Sequence, residues 1–144
     1  MGKTVRDVMT PSVRIASPSQ SLAEAAQMMK SEDAGSIPVV ENGRVVGILT
    51  DRDITVRAVA EGADPKATRV ADIASGDPVT VGPEENLDEA LALMARHQVR
   101  RLPVVEANQL IGILSQADVA LESKDKKSGE LLEQISQPSS TARG

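Results

Sequence analysis

Gly47-Ile48-Leu49-Thr50-Asp51-Arg52-Asp53 occurs a second time, in altered form, as Gly112-Ile113-Leu114-Ser115-Gln116-Ala117-Asp118. The offset is 65 residues at the glycine, at the hydroxyl residue and at the last aspartate. Carried towards the N-terminus, the same offset pairs Ile37-Pro38-Val39-Val40 with Leu102-Pro103-Val104-Val105. It also pairs Leu22 with Leu87, Ala25 with Ala90, Met29 with Met94 and Asp7 with Asp72. A fixed period through both halves of a chain means one supersecondary unit used twice. Two copies make a pair rather than a solenoid, so the expected arrangement is a pseudo-twofold sandwich with sites where the copies face each other.

Within each copy the local signals are regular. Thr4-Val5-Arg6-Asp7 has the spacing of a helix capping pair, and the helical turn it opens runs to Met9 before Pro11 stops it. Val13-Arg14-Ile15 alternates as a short strand does, and Val79-Thr80-Val81 repeats it. Ser21 with Glu24 caps a helix whose apolar stripe is Leu22, Ala25, Ala26 and Met29, with Gly35 as its end signal. Asn86 with Glu89 does the same ahead of Leu87, Ala90, Leu91 and Met94. Ile37 to Val40 and Arg44 to Leu49 are strands joined through Glu41-Asn42-Gly43, a hairpin signal, with Pro38 placed at a strand start or an edge. Thr50 then opens a helix that runs to about Glu61, where Gly62 and Pro65 end it. Residues 62–69 are too short for a free tether between independent domains. Leu102 to Val105 and Gln109 to Leu114 repeat the hairpin, and Ser115 opens the last helix.

The fold class this predicts is α/β, an α+β sandwich of two β-α-β-β-α repeats related by a pseudo-twofold axis. The first repeat spans residues 1–66 and the second 67–125. Residues 126–144 form a partly disordered tail, in which Leu131, Leu132 and Ile135 make a short amphipathic turn. Each copy is near the lower size limit for an adequate core, so the two are expected to share one.

Composition narrows the function. The 144 residues carry 16 Lys and Arg against 21 Asp and Glu, a formal charge of −5, which disfavours nucleic acid and anionic membrane surfaces as partners. No apolar run has the length of a membrane span and the first ten residues lack a signal-peptide core, so a cytoplasmic protein is expected. There is no cysteine and one histidine, His97, read as an exposed helix residue. Only carboxylates are left for a metal, and none cluster with suitable spacing. There is no Phe, Tyr or Trp. A flat ligand must therefore be gripped between aliphatic side chains, and a stacking platform for single-stranded nucleic acid is excluded. No nucleophile with a paired base and no Walker-type loop is present, so the chain reads as a non-enzyme with no catalytic residue and no catalytic cofactor.

The repeated turn has two readings. Thr50 as N-cap and Asp53 three residues on form a capping-box-like pair, and Ser115 and Asp118 form another, with no ligand required. The same geometry suits a nucleotide. Free N–H groups at a helix start favour phosphate, and a carboxylate one turn in can accept from both hydroxyls of a ribose. Gly47 and Gly112 would then let the backbone approach the ligand closely.

The opening DVMTP, the aliphatic-Pro-Val-Val strand and the Gly-x-x-Thr/Ser-x-x-Asp turn, each in register in two copies, resemble CBS domains. These are the small sensory modules named after cystathionine β-synthase, and the resemblance covers about residues 4–122. It implies a disc-like pair, a Bateman module, that binds adenosyl ligands in clefts between its repeats and forms homodimers. By this resemblance Asp53 and Asp118 hold ribose hydroxyls, and Thr50 and Ser115 hold ribose or phosphate. Ile15 and Val81, with Ile37-Pro38 and Leu102-Pro103, wall the adenine. Arg101, with Arg100 beside it, reaches phosphate in the second copy, where the first has Gly35-Ser36; Arg52 is the cation inside the first motif. The reading is a stand-alone regulatory pair that binds an adenine nucleotide and signals to a protein partner. The alternative is a ligand-free dimerisation scaffold whose turns are helix caps.

Overall fold

The computed structural model describes residues 2–122; the amphipathic turn and the tail expected after them lie outside the described residues. The order is α1 (Val5–Val8), α2 (Leu22–Glu32), β1 (Ser36–Glu41), β2 (Arg44–Thr50) and α3 (Asp51–Asp53). A π-helical stretch (Ile54–Val59) continues α3, and the second copy supplies α4 (Val70–Ile73), α5 (Leu87–His97), β3 (Arg101–Glu106), β4 (Gln109–Ser115) and α6 (Gln116–Glu122). Helices and two small sheets, each an antiparallel hairpin, make an α+β fold.

The compact units are cut differently from the repeats. One unit holds residues 2–13 together with 79–122, and the other holds 14–78. Each therefore combines the body of one repeat with the opening turn of the other. In the first unit the Val5 and Arg6 N–H groups donate to the Glu85 and Pro83 carbonyls at 3.0 and 2.8 Å. In the second, the Val70 and Ala71 N–H groups donate to Gln20 and Pro18 at 2.8 and 2.9 Å. The segment 62–69 is also built in, because Thr68 and Pro65 carbonyls accept from Leu22 and Ala23 at the start of α2.

The single shared core expected from the sequence gives way to two clusters, one per unit. Val5 and Val8 from the opening turn join Leu87, Leu91, Met94, Leu102, Leu114 and Val119. Val70 and Ile73 join Leu22, Met29, Ile37, Val39 and Leu49. What the repeats share is the opening turn, which brings two apolar side chains to a body too small to complete its own core. Every buried member is aliphatic or Met, as a chain without aromatics requires. Leu114 is fully buried; truncating such a side chain to Ala costs about 2–5 kcal/mol.

Three local expectations change. No strand forms over Val13–Ile15 or Val79–Val81; single bridges stand instead, Ala16 to Val39 one residue past the first segment and Val81 to Val104 at the end of the second. The Ala16 N–H donates to Pro38 and its carbonyl accepts from Val40. Helix α2 stops at Asp33, two residues before Gly35, with Asp33 left-handed at φ 51°. The Ala34 N–H then closes on the Met29 carbonyl at 3.0 Å. The helix after Thr50 ends near Gly62 as expected, but through Val59 it follows i→i−5 bonding, as in Ala60 N–H to Thr55 at 2.9 Å.

Candidate functional site at the repeated strand-to-helix turns

Both hairpins carry the same irregularity. Val39 opposes Gly47 while Val40 opposes Val45, so Val46 bulges out, and Val104, Gly112, Val105 and Leu110 repeat the pattern. The bulge brings the glycine against the edge where the opening segment adds a bridge, Ile48 with Ser75 and Thr10 with Ile113. A Cβ at Gly47 would lie 2.6 Å from the Ser75 carbonyl oxygen, and one at Gly112 would lie 2.8 Å from that of Thr10. The close approach expected at these glycines, of backbone to a ligand, is made instead to another segment of the chain's own backbone. That is why both positions are glycine.

One residue pair later the turn forms. In the second unit Thr50 caps α3: the Asp53 N–H donates to Thr50 Oγ1 at 3.0 Å, and the Thr50 N–H donates to Asp53 Oδ2 at 3.0 Å. This is a full capping box, with the carboxylate in the place a Glu usually takes. Asp53 Oδ1 is the oxygen the cap does not use. In the first unit the Asp118 N–H donates to Ser115 Oγ at 3.2 Å, but Asp118 Oδ2 accepts from Thr10 Oγ1 at 2.9 Å. Two aspartates in register in the sequence therefore have different partners. Both are half-buried, as are Thr50 and Ser115.

The structure groups the expected site residues by unit. Arg101 is the direct cross-strand partner of Ser115, and the Arg100 carbonyl accepts from the Gln116 N–H at 3.0 Å at the start of α6. Arg100, Arg101, Ser115 and Asp118 thus meet at one turn, with both arginines half-buried. In the second unit the corresponding partner of Thr50 is Ser36, and the Gly35 carbonyl takes the place of Arg100, accepting from Asp51. Arg52 is exposed on α3. Ile37, Leu102 and Val81 are core residues, 2%, 1% and 2% exposed, and Pro38 and Pro103 are buried beside them. Ile15 is 41% exposed and stands in register with Thr80, not with Val81, whose counterpart is buried Ala16. The residue that sequence reasoning missed is Thr10. Its signal was present: Thr10 and Ser75 are both hydroxyl residues in the 65-residue register.

Among the described residues no three His, Cys, Asp or Glu side chains gather as metal ligands, and His97 is exposed in the last turn of α5. No helix there is long and apolar enough to cross a membrane.

The family model of the CBS domain matches residues 5–59 and 70–125. The chain belongs to the CBS-domain family. The CBS domain-containing protein YhcV of Bacillus subtilis is 44% identical over 134 residues, covering 92% of this chain and 95% of YhcV. Among solved structures, Hypoxic Response Protein I with two coordinated zinc ions matches with a TM-score of 0.77 and 35% identity, over 84% of this chain and 99% of that one. The CBS-pair protein CBSX2 of Arabidopsis thaliana in complex with AMP matches with a TM-score of 0.73 and 30% identity, over 84% and 96%. The two CBS motifs bracket the described elements, from α1 to the π-helical stretch and from α4 to α6.

Proposed function

We propose that this CBS pair is a non-enzymatic regulatory module that binds an adenine nucleotide at its strand-to-helix turns. The observation that carries the reading is the repeated half-buried carboxylate, Asp53 and Asp118, one turn into a helix beside an N-cap hydroxyl. Such a carboxylate can accept from ribose hydroxyls while the helix start faces phosphate. The AMP complex of CBSX2, a relative over most of its length, supports the choice of ligand.

In this reading Asp53 and Asp118 hold ribose, and Thr50 and Ser115 meet ribose or phosphate. Arg101 and Arg100 bring positive charge to the phosphate in one unit, and Arg52 is the cation of the other. In the second unit Ile15 supplies exposed apolar surface for the base beside the packed Ile37-Pro38, and in the first unit Val81 and Leu102-Pro103 supply the corresponding packed wall. The two turns are unequal, so they differ in affinity. Ligand binding shifts the population of one conformation over another, and a protein partner reads the difference. A homodimer belongs to the same reading: Val56 and Val59 in the π-helical stretch are 47% and 65% exposed and offer apolar surface to a second copy.

The capping box favours a second reading, a scaffold without ligand, because Thr50 Oγ1 and Asp53 Oδ2 already serve each other's backbone. Substituting Asp53→Glu and Asp118→Glu separates the two. Glutamate is a preferred residue at the third position of a capping box, so the α3 start survives while the Asp53 carboxylate moves by one methylene, and at Asp118 the same change gives up the bond from Thr10. Loss of AMP binding with melting lowered no further than loss of the Thr10 bond explains supports the nucleotide site. Wild-type protein that fails to bind AMP, ATP or S-adenosylmethionine supports the scaffold.

A further inference from the structure

The opening turns α1 and α4 sit in matching backbone positions, yet one carries an arginine where the other carries an alanine. The Arg6 N–H donates to Pro83 at 2.8 Å and the Ala71 N–H donates to Pro18 at 2.9 Å, so the two Cβ atoms leave the backbone at equivalent points. In the first unit the Arg6 guanidinium lies between two carboxylates. Its Nε donates to Glu84 Oε2 and its Nη2 to Glu106 Oε2, both at 2.9 Å. The 65-residue counterparts of these three residues are Ala71, Ser19 and Glu41. One carboxylate is retained, the other is a hydroxyl, and the cation is missing.

The space where that side chain would lie is a surface groove of about 360 Å³, lined by Ser17, Ser19, Glu41, Asn42, Arg69 and Ala71 among others. All of these belong to the second unit. Among the described residues Glu41 makes no ion pair. The Ser17 and Ser19 hydroxyls are 3.3 Å apart and share a hydrogen bond. Arg69 on the rim faces Asp72 of its own turn at 3.6 Å, which offsets its charge. We propose that the groove over Ala71 binds a guanidinium group, which takes the place Arg6 fills in the other unit. Glu41 accepts from one edge of the planar fork, and the serine hydroxyls accept from the other. A guanidinium fits better than an ammonium because its donors are fixed in one plane at the spacing Arg6 uses. With one partly exposed carboxylate, the affinity is expected at about 1–10 mM.

The group can arrive on free arginine or on an arginine side chain of a protein. Titration of the ¹⁵N-labelled protein with free arginine and with N-acetyl-arginine amide distinguishes these sources, with N-acetyl-lysine amide as the control. The expected result is saturable amide shifts confined to Ser17–Ser19, Val40–Asn42 and Ala71, with about tenfold weaker binding of the lysine compound. If the capped and free compounds bind alike, side-chain recognition is indicated; if only free arginine binds, the site is for a small molecule. Glu41→Gln should weaken binding about tenfold. Ala71→Arg should abolish it, because the new side chain fills the groove as Arg6 fills its own. Arg6→Ala should open a matching place between Glu84 and Glu106 and create a second set of saturable shifts there. Wild-type protein without saturable shifts, equal binding of lysine and arginine compounds, or shifts that survive Ala71→Arg would each overturn the proposal.

Discussion

Thr10 Oγ1 donates to Asp118 Oδ2 at 2.9 Å across 108 residues of sequence. The bond ties the opening segment of the chain to the last described helix, and it occupies one oxygen of a carboxylate proposed to hold ribose. Thr10→Val removes the donor and keeps the shape. It should lower stability by about 0.5–1.5 kcal/mol in urea denaturation. It should also change AMP affinity at the turn that holds Asp118 and leave the Thr50–Asp53 turn as it was. A variant equal to wild type in both respects would show the bond to be incidental.

The glycines of the bulged strands should be intolerant for a packing reason. Gly47→Ala puts a methyl 2.6 Å from the Ser75 carbonyl oxygen, and Gly112→Ala puts one 2.8 Å from the Thr10 carbonyl oxygen. Either must push the bridging segment away, at about 1–3 kcal/mol. Gly76 has open space at its Cβ position and no positive φ. Gly76→Ala is therefore the control, expected to be neutral or slightly stabilising. Equal midpoints for all three would mean that the exchanged segments do not pack as described.

The second hairpin is under backbone strain that the first avoids. Asn42 and Gly43 take φ 55° and 81°, as a two-residue turn of this hand requires, whereas Ala107 and Asn108 take 52° and 66°. Alanine in the left-handed region costs roughly 1–2 kcal/mol relative to a residue that enters it freely. Ala107→Gly should raise stability by about 1 kcal/mol, read as a higher melting temperature. A drop would indicate a different turn.

Asp7 should titrate abnormally. The Thr4 N–H donates to Asp7 Oδ2 at 2.9 Å and the Thr4 hydroxyl at 3.2 Å, and these bonds hold the carboxyl below its ordinary value. A carboxyl depressed in the folded state adds stability that is complete above the unfolded value of 3.8 and is lost as pH falls through the lower folded value. Stability measured against pH should fall in that acid range, and Asp7→Asn should flatten this part of the curve. An Asp7 carboxyl resonance titrating at the ordinary value would refute the assignment.

The sequence carried the repeat, the hairpins and the caps because each rests on local chemistry. Ser21 accepts from the Glu24 N–H at 3.1 Å, and Thr50 and Asp53 form the box their spacing predicted. The exchange of opening turns was not legible. Val5-Arg6-Asp7-Val8 and Val70-Ala71-Asp72-Ile73 have the same apolar pattern, so either could complete either body. The first strands failed for a related reason: alternation over three residues cannot say that only Ala16 and Val81 reach the hairpin. Nor does composition announce a π-helical register, since Ile54 to Val59 would suit an ordinary helix equally well. At the site, register found Asp53 and Asp118 but could not tell that Thr10 holds one of them.

The most direct test of the nucleotide reading uses the absence of aromatic residues, which leaves the protein almost transparent where adenine absorbs. Equilibrium dialysis against AMP, read by near-ultraviolet absorbance, should give saturable binding to wild-type protein. The Asp53→Glu and Asp118→Glu double variant should bind AMP at least about tenfold more weakly and melt no lower than Thr10→Val, which loses the same bond to Asp118. Absence of saturable binding to the wild type, or undiminished binding to the double variant, would contradict the account.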